Sequence, residues 1–240
     1  MMRSRKTRIN YAKDWEYTTN DTATLVTKYI GNKTDVVVPS KIEGKPVVLQ
    51  NSPSNNVNSV FMDNGNITSV QFTDGVKFAN NNMDYAFYGC TNLVTAPIIP
   101  NNVMSVHGAF MWCRNLVNAP IIPNGVTNMD SAFYGCENLV NVPIIPNSVT
   151  DMASAFKDCH NLVNIPVIPN SVTDMARTFY GCINLVNAPI IPNGVIDMYG
   201  TFMWCTNLVT APIIPNNVMR MGDTFGNCSN LINAPAIPDS

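Results

Sequence analysis

The sequence predicts a β-rich solenoid in which each coil supplies short parallel strands and a short helical or 3₁₀ turn. Three observations carry that expectation. A stretch reading MDSAFYGCENLVNVPIIPNSVTD, from Met129 to Asp151, recurs with a period of 23 residues. Phe87, Phe110, Phe133, Phe156, Phe179, Phe202 and Phe225 keep that spacing. So do all seven cysteines: Cys90, Cys113, Cys136, Cys159, Cys182, Cys205 and Cys228. A strict period of this length makes each repeat one unit that can bury its apolar side only against its neighbours. The Phe, Cys, Leu, Ala and Ile positions are expected to point inward, as ladders with rungs about 4.8 Å apart.

Each regular coil divides into three parts. The first, Met-x-x-Ala/Thr-Phe-x-x-Cys, places apolar residues at i, i+3, i+4 and i+7, the spacing of a helix. Asn82, Ser105, Asn128, Asp151, Asp174 and Asp197 precede this segment and are good N-caps; Arg220 breaks the rule. The second part, Asn-Leu-Val-x-Ala-Pro-Ile-Ile-Pro, is the strand candidate. Its prolines, from Pro97 to Pro212, remove one N–H per coil at the same rung, so the strands should be short. The third part, Pro-Asn-x-Val, turns the corner. The asparagines before Leu, from Asn92 to Asn230, are expected to bond to one another along the stack.

Before the regular array the chain divides differently. Residues 1–13 form a basic N-terminal arm containing Arg3, Arg5, Lys6 and Arg8, with no apolar run after them of the kind a secretory leader has. Residues 14–82 read as an N-terminal β cap. The runs ATLVTKY, TDVVV and PVVLQ are separated by turn-forming segments, including Asn51 to Asn56. Ile67 and Val70 mark a degenerate repeat, standing where later coils have Leu and Ala, and residues 77–82 read as a short insertion. Residues 83–240 hold seven coils, the last truncated; its open end at Ser240 is expected to be covered by another subunit through self-association, to be covered by a further domain, or to fray. Thr91 to Met104 is identical to Thr206 to Met219, the mark of duplication within the array.

Composition narrows the function classes. Charged residues make up 12% of the chain, against about 25% in ordinary globular proteins. Net charge is −2, which supplies no electrostatic reason to bind nucleic acid or an anionic membrane. Prolines interrupt every apolar run, so membrane insertion is not expected. Cysteines stacked one per coil lie beyond ordinary disulfide reach and read as buried free thiols. They do not converge as a metal site, and neither metal nor cofactor is expected. The two histidines, His107 and His160, occupy different coil positions. Asp151, Asp174 and Asp197 stack at a spacing of about 5 Å that would suit a glycosidase pair or Ca²⁺, but capping accounts for them. No catalytic residue is assigned.

The outer side varies from coil to coil while the strand side hardly changes. Tyr88, Trp112, Tyr134, Tyr180 and Trp204 follow the Phe positions and define an aromatic stripe about 20 Å long, a candidate surface for protein or sugar contacts.

The motif Met-x-x-Ala-Phe-x-x-Cys-x-Asn-Leu-x-x-Ala-Pro-x-Ile-Pro-x-x-Val resembles the BspA-type leucine-rich repeat, and ATLVTKYIGNKTDVVVPSKIEGKPVV resembles the segment that often precedes such repeats. The resemblance spans roughly residues 20–240. It departs from the commoner pattern by one extra residue before the Pro-Asn-x-Val corner and one fewer between Met and Phe. It implies an α/β leucine-rich-repeat type of solenoid, non-enzymatic, on a bacterial cell surface or in a phage virion. The leading expectation is a binding or adhesion scaffold for a protein or glycan on a cell surface. A phage tail or surface component that contacts the host is the alternative, and a polysaccharide-acting β-solenoid enzyme a minor one.

Overall fold

Ladders of identical side chains, stacked one per coil, run the length of the molecule. The structure, a computed structural model, describes residues 11–51, 59–233 and 235. The basic cluster Arg3 to Arg8, most of the turn at Asn51 to Asn56 and the chain end at Ser240 lie outside the described residues. Phe61, Phe87, Phe110, Phe133, Phe156, Phe179, Phe202 and Phe225 stack in one column, with ring centroids 4.8 to 5.8 Å apart and planes within 13° of parallel. Beside it run the Met or Val, Cys, Leu, second Ile and Val columns, all buried through most of the array. These columns are the core.

The start of the chain closes one end of this column. Strand β1 (Trp15–Thr19) pairs antiparallel with β2 (Thr24–Tyr29), with an irregularity between Glu16 and Tyr17. Strand β2 pairs in parallel with β5 (Lys45–Leu49), which also pairs with β4 (Lys41–Ile42) and with β7 (Lys77–Phe78). Strand β3 (Asp35–Val38) pairs in parallel with β6 (Ser69–Phe72). Trp15 sets its edge against Phe61 at 5.9 Å and 81°, with Tyr29 4.8 Å from Trp15. An edge-to-face ring ends a stack without exposing its last face.

Phe61 belongs to the column although it lies 26 residues before Phe87. Ser69 likewise bridges Thr95 at an offset of 26, whereas Asn82 bridges Ser105 at 23. The extra three residues therefore lie between Ser69 and Asn82. The degenerate coil thus begins earlier than the Ile67 and Val70 signals indicate.

The first part of each coil is not helical, which corrects the helix expected from its spacing. In the coil at Met83, every second N–H donates along the stack: Met83 to the Ser105 carbonyl, Tyr85 to His107, Phe87 to Ala109 and Gly89 to Met111, at 2.8 to 3.0 Å. The N–H groups of Ala86, Tyr88 and Cys90 close tight turns onto residues three earlier. Two residues per coil hold positive φ, such as Tyr85 at 54° and Gly89 at 71°, with Ser131 at 55° and Gly135 at 72° two coils on. A left-handed residue breaks the helical hydrogen-bond path, so successive turns give the i, i+3, i+4, i+7 inward pattern without a helix. Asn82, Asn128, Asp151, Asp174 and Asp197 do act at the segment's start. Each side-chain oxygen accepts the N–H two residues on, at 2.6 to 2.9 Å, as an Asx turn.

The second part is shorter than the strand expected of it. Pairing there reduces to single parallel bridges, Ser69 to Thr95, Asn118 and Asn141, and Asn187 to Thr210. A second bridge column runs through the Asx-turn residues from Asn82 to Arg220. Proline two residues after Thr95, Asn118, Asn141, Asn187 and Thr210 supplies no N–H to extend the first of these columns. The asparagine ladder forms: amides of Asn115, Asn138 and Asn161 donate to the residue one coil back at 3.2 to 3.5 Å, and Asn207 and Asn230 do the same.

The cysteines are free thiols, and each Sγ–H donates to the Phe carbonyl of the preceding coil, as Cys159 does to Phe133 at 3.2 Å. Burial pushes the Cys90 thiol up to about 12 and the deeper ones well above their ordinary value, so none is poised as a nucleophile. Thr178, Thr201 and Thr224 replace the buried Ala, and their hydroxyls donate to the carbonyls of Met152, Met175 and Met198 at 2.8 to 2.9 Å.

Candidate functional site

Two sides of the coil reach solvent with distinct chemistry. On the turn side, the structure joins part of the aromatic stripe. Trp112 lies 4.7 Å from Tyr134, and the Arg114 guanidinium stands 5.5 Å from the Trp112 ring. Lys157 Nζ sits between Tyr134 and Tyr180, 4.6 and 4.9 Å from the two rings. Trp112, Tyr134, Lys157 and Tyr180 therefore form one run in which cations cover ring faces. Tyr88 is set apart and packs edge-on to Tyr85 at 6.2 Å. Tyr88, Trp112, Tyr134 and Tyr180 are half-buried, whereas Trp204 is 46% exposed. Arg114 and Lys157 escape a reading based on aromatics alone; they stand at coil positions where other coils carry Thr, Glu, His, Ile or Ser in the first case and Tyr, Met or Gly in the second.

The Pro-Ile-Ile-Pro side corrects a second expectation, that Ile points inward. Only the second Ile of each pair does. The first forms an outer column, Ile98, Ile121, Ile144, Val167, Ile190 and Ile213, each 82–89% exposed. Four residues earlier in each coil stands a half-exposed column, Val94, Val117, Val140, Val163 and Val186. Consecutive residues of an extended chain face opposite ways, so two adjacent isoleucines could not both have been interior; that alternation was the available signal.

Near the start of the array lies a polar cluster around His107. His107 Nδ1 is 3.1 Å from Asp130 Oδ2, and the Tyr85 hydroxyl is hydrogen-bonded to His107 Nε2. Asp84 accepts the His107 backbone N–H at 3.0 Å and the Ser105 hydroxyl. Tyr, His and Asp stand in the order of nucleophile, base and orienting acid, but Tyr85 is buried, and burial with nearby Asp130 and Asp84 raises its pKa. The hydroxyl is thus held protonated, and the cluster acts as an inter-coil clamp. The Asp130 hydrogen bond holds the His107 pKa above its ordinary value against burial. For Asp130, burial is outweighed by hydrogen bonds from His107 and Ser131, and its pKa is lowered.

The sign of the pH dependence follows. The His107 contribution is full below its unfolded value of about 6.5 and lost as pH rises through its higher folded value; that of Asp130 is present above about 3.9 and lost as pH falls through its lower folded value. Between pH 6 and pH 8 the clamp should lose about 0.5 kcal/mol, a figure discounted for partial exposure. Thermal melts should show that loss in the wild type and not in His107→Gln; equal slopes would remove the clamp.

Asp151, Asp174 and Asp197 remain Asx-turn residues. Burial raises the pKa of Asp151 and Asp174, neighbouring carboxylates add to it, and the accepted N–H opposes it. Asp197 is paired with Arg220 at 2.8 Å, which explains why a cation occupies the seventh cap position. Among the described residues no three His, Cys, Asp or Glu side chains converge as a metal site, and no helix is long and apolar enough to cross a membrane.

Comparisons with known proteins agree with this geometry. The model of the BspA type leucine rich repeat region matches residues 55–185 and 130–239, with six copies. The solved leucine-rich repeat protein of T. pallidum is 25% identical, with a TM-score of 0.54, over 92% of this chain and 89% of that one. A leucine-rich repeat protein from Bacteroides ovatus is 19% identical, with a TM-score of 0.53, over 91% of this chain and 68% of that one. No curated protein matches the chain. The matched repeats cover most of the sequence, and the stacked coils are of the same kind: the chain belongs to the BspA-type leucine-rich repeat family.

Proposed function

We propose that the chain is a non-catalytic adhesion scaffold whose turn-side edge, carrying Tyr88, Trp112, Tyr134, Tyr180 and Trp204, recognises a protein or a glycan on a cell surface. One observation carries this reading: sequence variation between coils is concentrated on that edge, where rings and cations stand together on an otherwise uniform ladder. Recognition of a particular partner needs features that differ along the surface, and aromatic and Arg side chains are the usual anchors of binding energy. Membership of a family of repeat scaffolds supports the same reading.

Binding of the purified chain to glycan and surface-protein panels tests it. Trp204→Ala and Lys157→Ala should each weaken binding roughly tenfold or more, while Ile190→Asn on the other face should leave it unchanged. Binding indifferent to both edge substitutions, or turnover of a bound glycan, would sink the proposal.

A further inference from the structure

We infer that the outer Ile and Val face is a homodimer interface, occupied by a second copy of this chain lying side by side about a two-fold axis between Ile144 and Val167. This goes beyond the edge described above and uses the opposite chemistry. Three observations select the occupant.

The first is area. A buried Ile or Val corresponds to roughly 100 Å² of apolar surface. Six outer side chains at 82–89% exposure and five half-exposed valines then offer about 700 Å². That lies within the roughly 600–1,000 Å² one partner contributes to a stable complex of ordinary size, and exceeds the roughly 300–600 Å² patch a free monomer leaves uncovered.

The second is charge. From Met83 to Pro235, every Asp, Glu, Lys and Arg falls between the Asx-turn position and the residue after Cys. The Ile and Val columns carry none, and the exposed columns that follow each of them, Thr95, Asn118 and Asn141 after Val and Asn101, Asn124 and Asn147 after the Ile pair, are neutral. Two copies bring identical charges to a shared interface, so an uncharged face is one they can press together without repulsion. A charged partner would find nothing there to pair with.

The third is pitch. Adjacent rungs are separated by clefts, about 400 Å³ between Val167 and Ile190 and about 330 Å³ between Ile190 and Ile213, floored by Pro166, Pro189 and Pro212. Side chains of a second copy arrive at the same repeat distance and enter a cleft at each rung. A surface of different pitch falls out of step within a few rungs.

Sedimentation of the full chain from about 1 to 100 μM tests the inference. The wild type should be a dimer. Ile144→Lys combined with Ile190→Lys should raise the dissociation constant at least 100-fold with an unchanged circular dichroism spectrum, because both side chains already lie in solvent. Should that variant misfold, Ile144→Asn with Ile190→Asn, matching the flanking columns, carries the same expectation. Trp204→Ala should remain dimeric. A wild type that stays monomeric at 100 μM overturns the inference, as does a dimer that survives the Ile substitutions, which end-on stacking of coils would give. A monomer that co-sediments with phosphatidylcholine vesicles through its isoleucines would overturn it too and assign the face to lipid.

Discussion

Phe156→Ala is expected to lower stability by about 3–5 kcal/mol, the range for removing a large aromatic from a tight core. Its ring is fully buried between Phe133 at 5.6 Å and Phe179 at 5.8 Å, and Cys182 donates to its carbonyl. The flanking coils relax little, because each is tied by its own hydrogen bonds to the next, so the cavity should persist. For a chain of this size the cost corresponds to a fall of roughly 10–15 °C in Tm. Phe225→Ala is the informative comparison. Phe225 is stacked on Phe202 at 5.7 Å but only partly buried, so its loss should fray one coil and move the main transition by a degree or two. Nearest-neighbour coupling in a solenoid predicts this difference. Equal shifts for both variants in calorimetry would show that the stack does not unfold as coupled coils.

Gly135→Ala should cost about 2–3 kcal/mol, combining a left-handed backbone with a steric clash. Gly135 has φ 72°, and an added Cβ would lie 2.3 Å from Trp112 Cε3. The position alternates along the stack: the side chains of Asp63, Trp112 and Asp158 lie over Gly89, Gly135 and Gly181 in the following coils. After Trp204 the same position holds Asn227, and Trp204 is the most exposed of the five rings. Because the clash is with one ring, Trp112→Ala should relieve part of it. The double variant in urea unfolding should be more stable than the sum of the single costs by about 1–2 kcal/mol. Strict additivity would mean that the Trp112 ring does not rest on Gly135.

Much of the core was legible because a period reports which residues share a column. The Phe, Cys, Leu and Asn ladders follow directly, as does the absence of room for disulfides in a column of single thiols. Two errors have physical causes. The spacing of Met83, Ala86, Phe87 and Cys90 is shared by a helix and by consecutive turns, and only the φ values of Tyr85 and Gly89 separate them. Phe61 was hidden because three extra residues put it out of register, although its ring is in the stack. At the candidate edge, the five aromatic positions could be read in sequence, but not that Lys157 spans two of them.

By itself the sequence determined the pitch, the inward Phe, Cys and Leu columns and the confinement of charge to one part of each coil, because these depend only on which residue types recur every 23 positions. Only the tertiary structure decided that the turn segment directs its N–H groups along the stack, that the first isoleucine of each pair is left in solvent, and that His107 clamps to Asp130. Those outcomes depend on left-handed backbone conformations and on contacts between neighbouring coils, and a single repeat contains neither its neighbour nor the direction in which its side chains meet it.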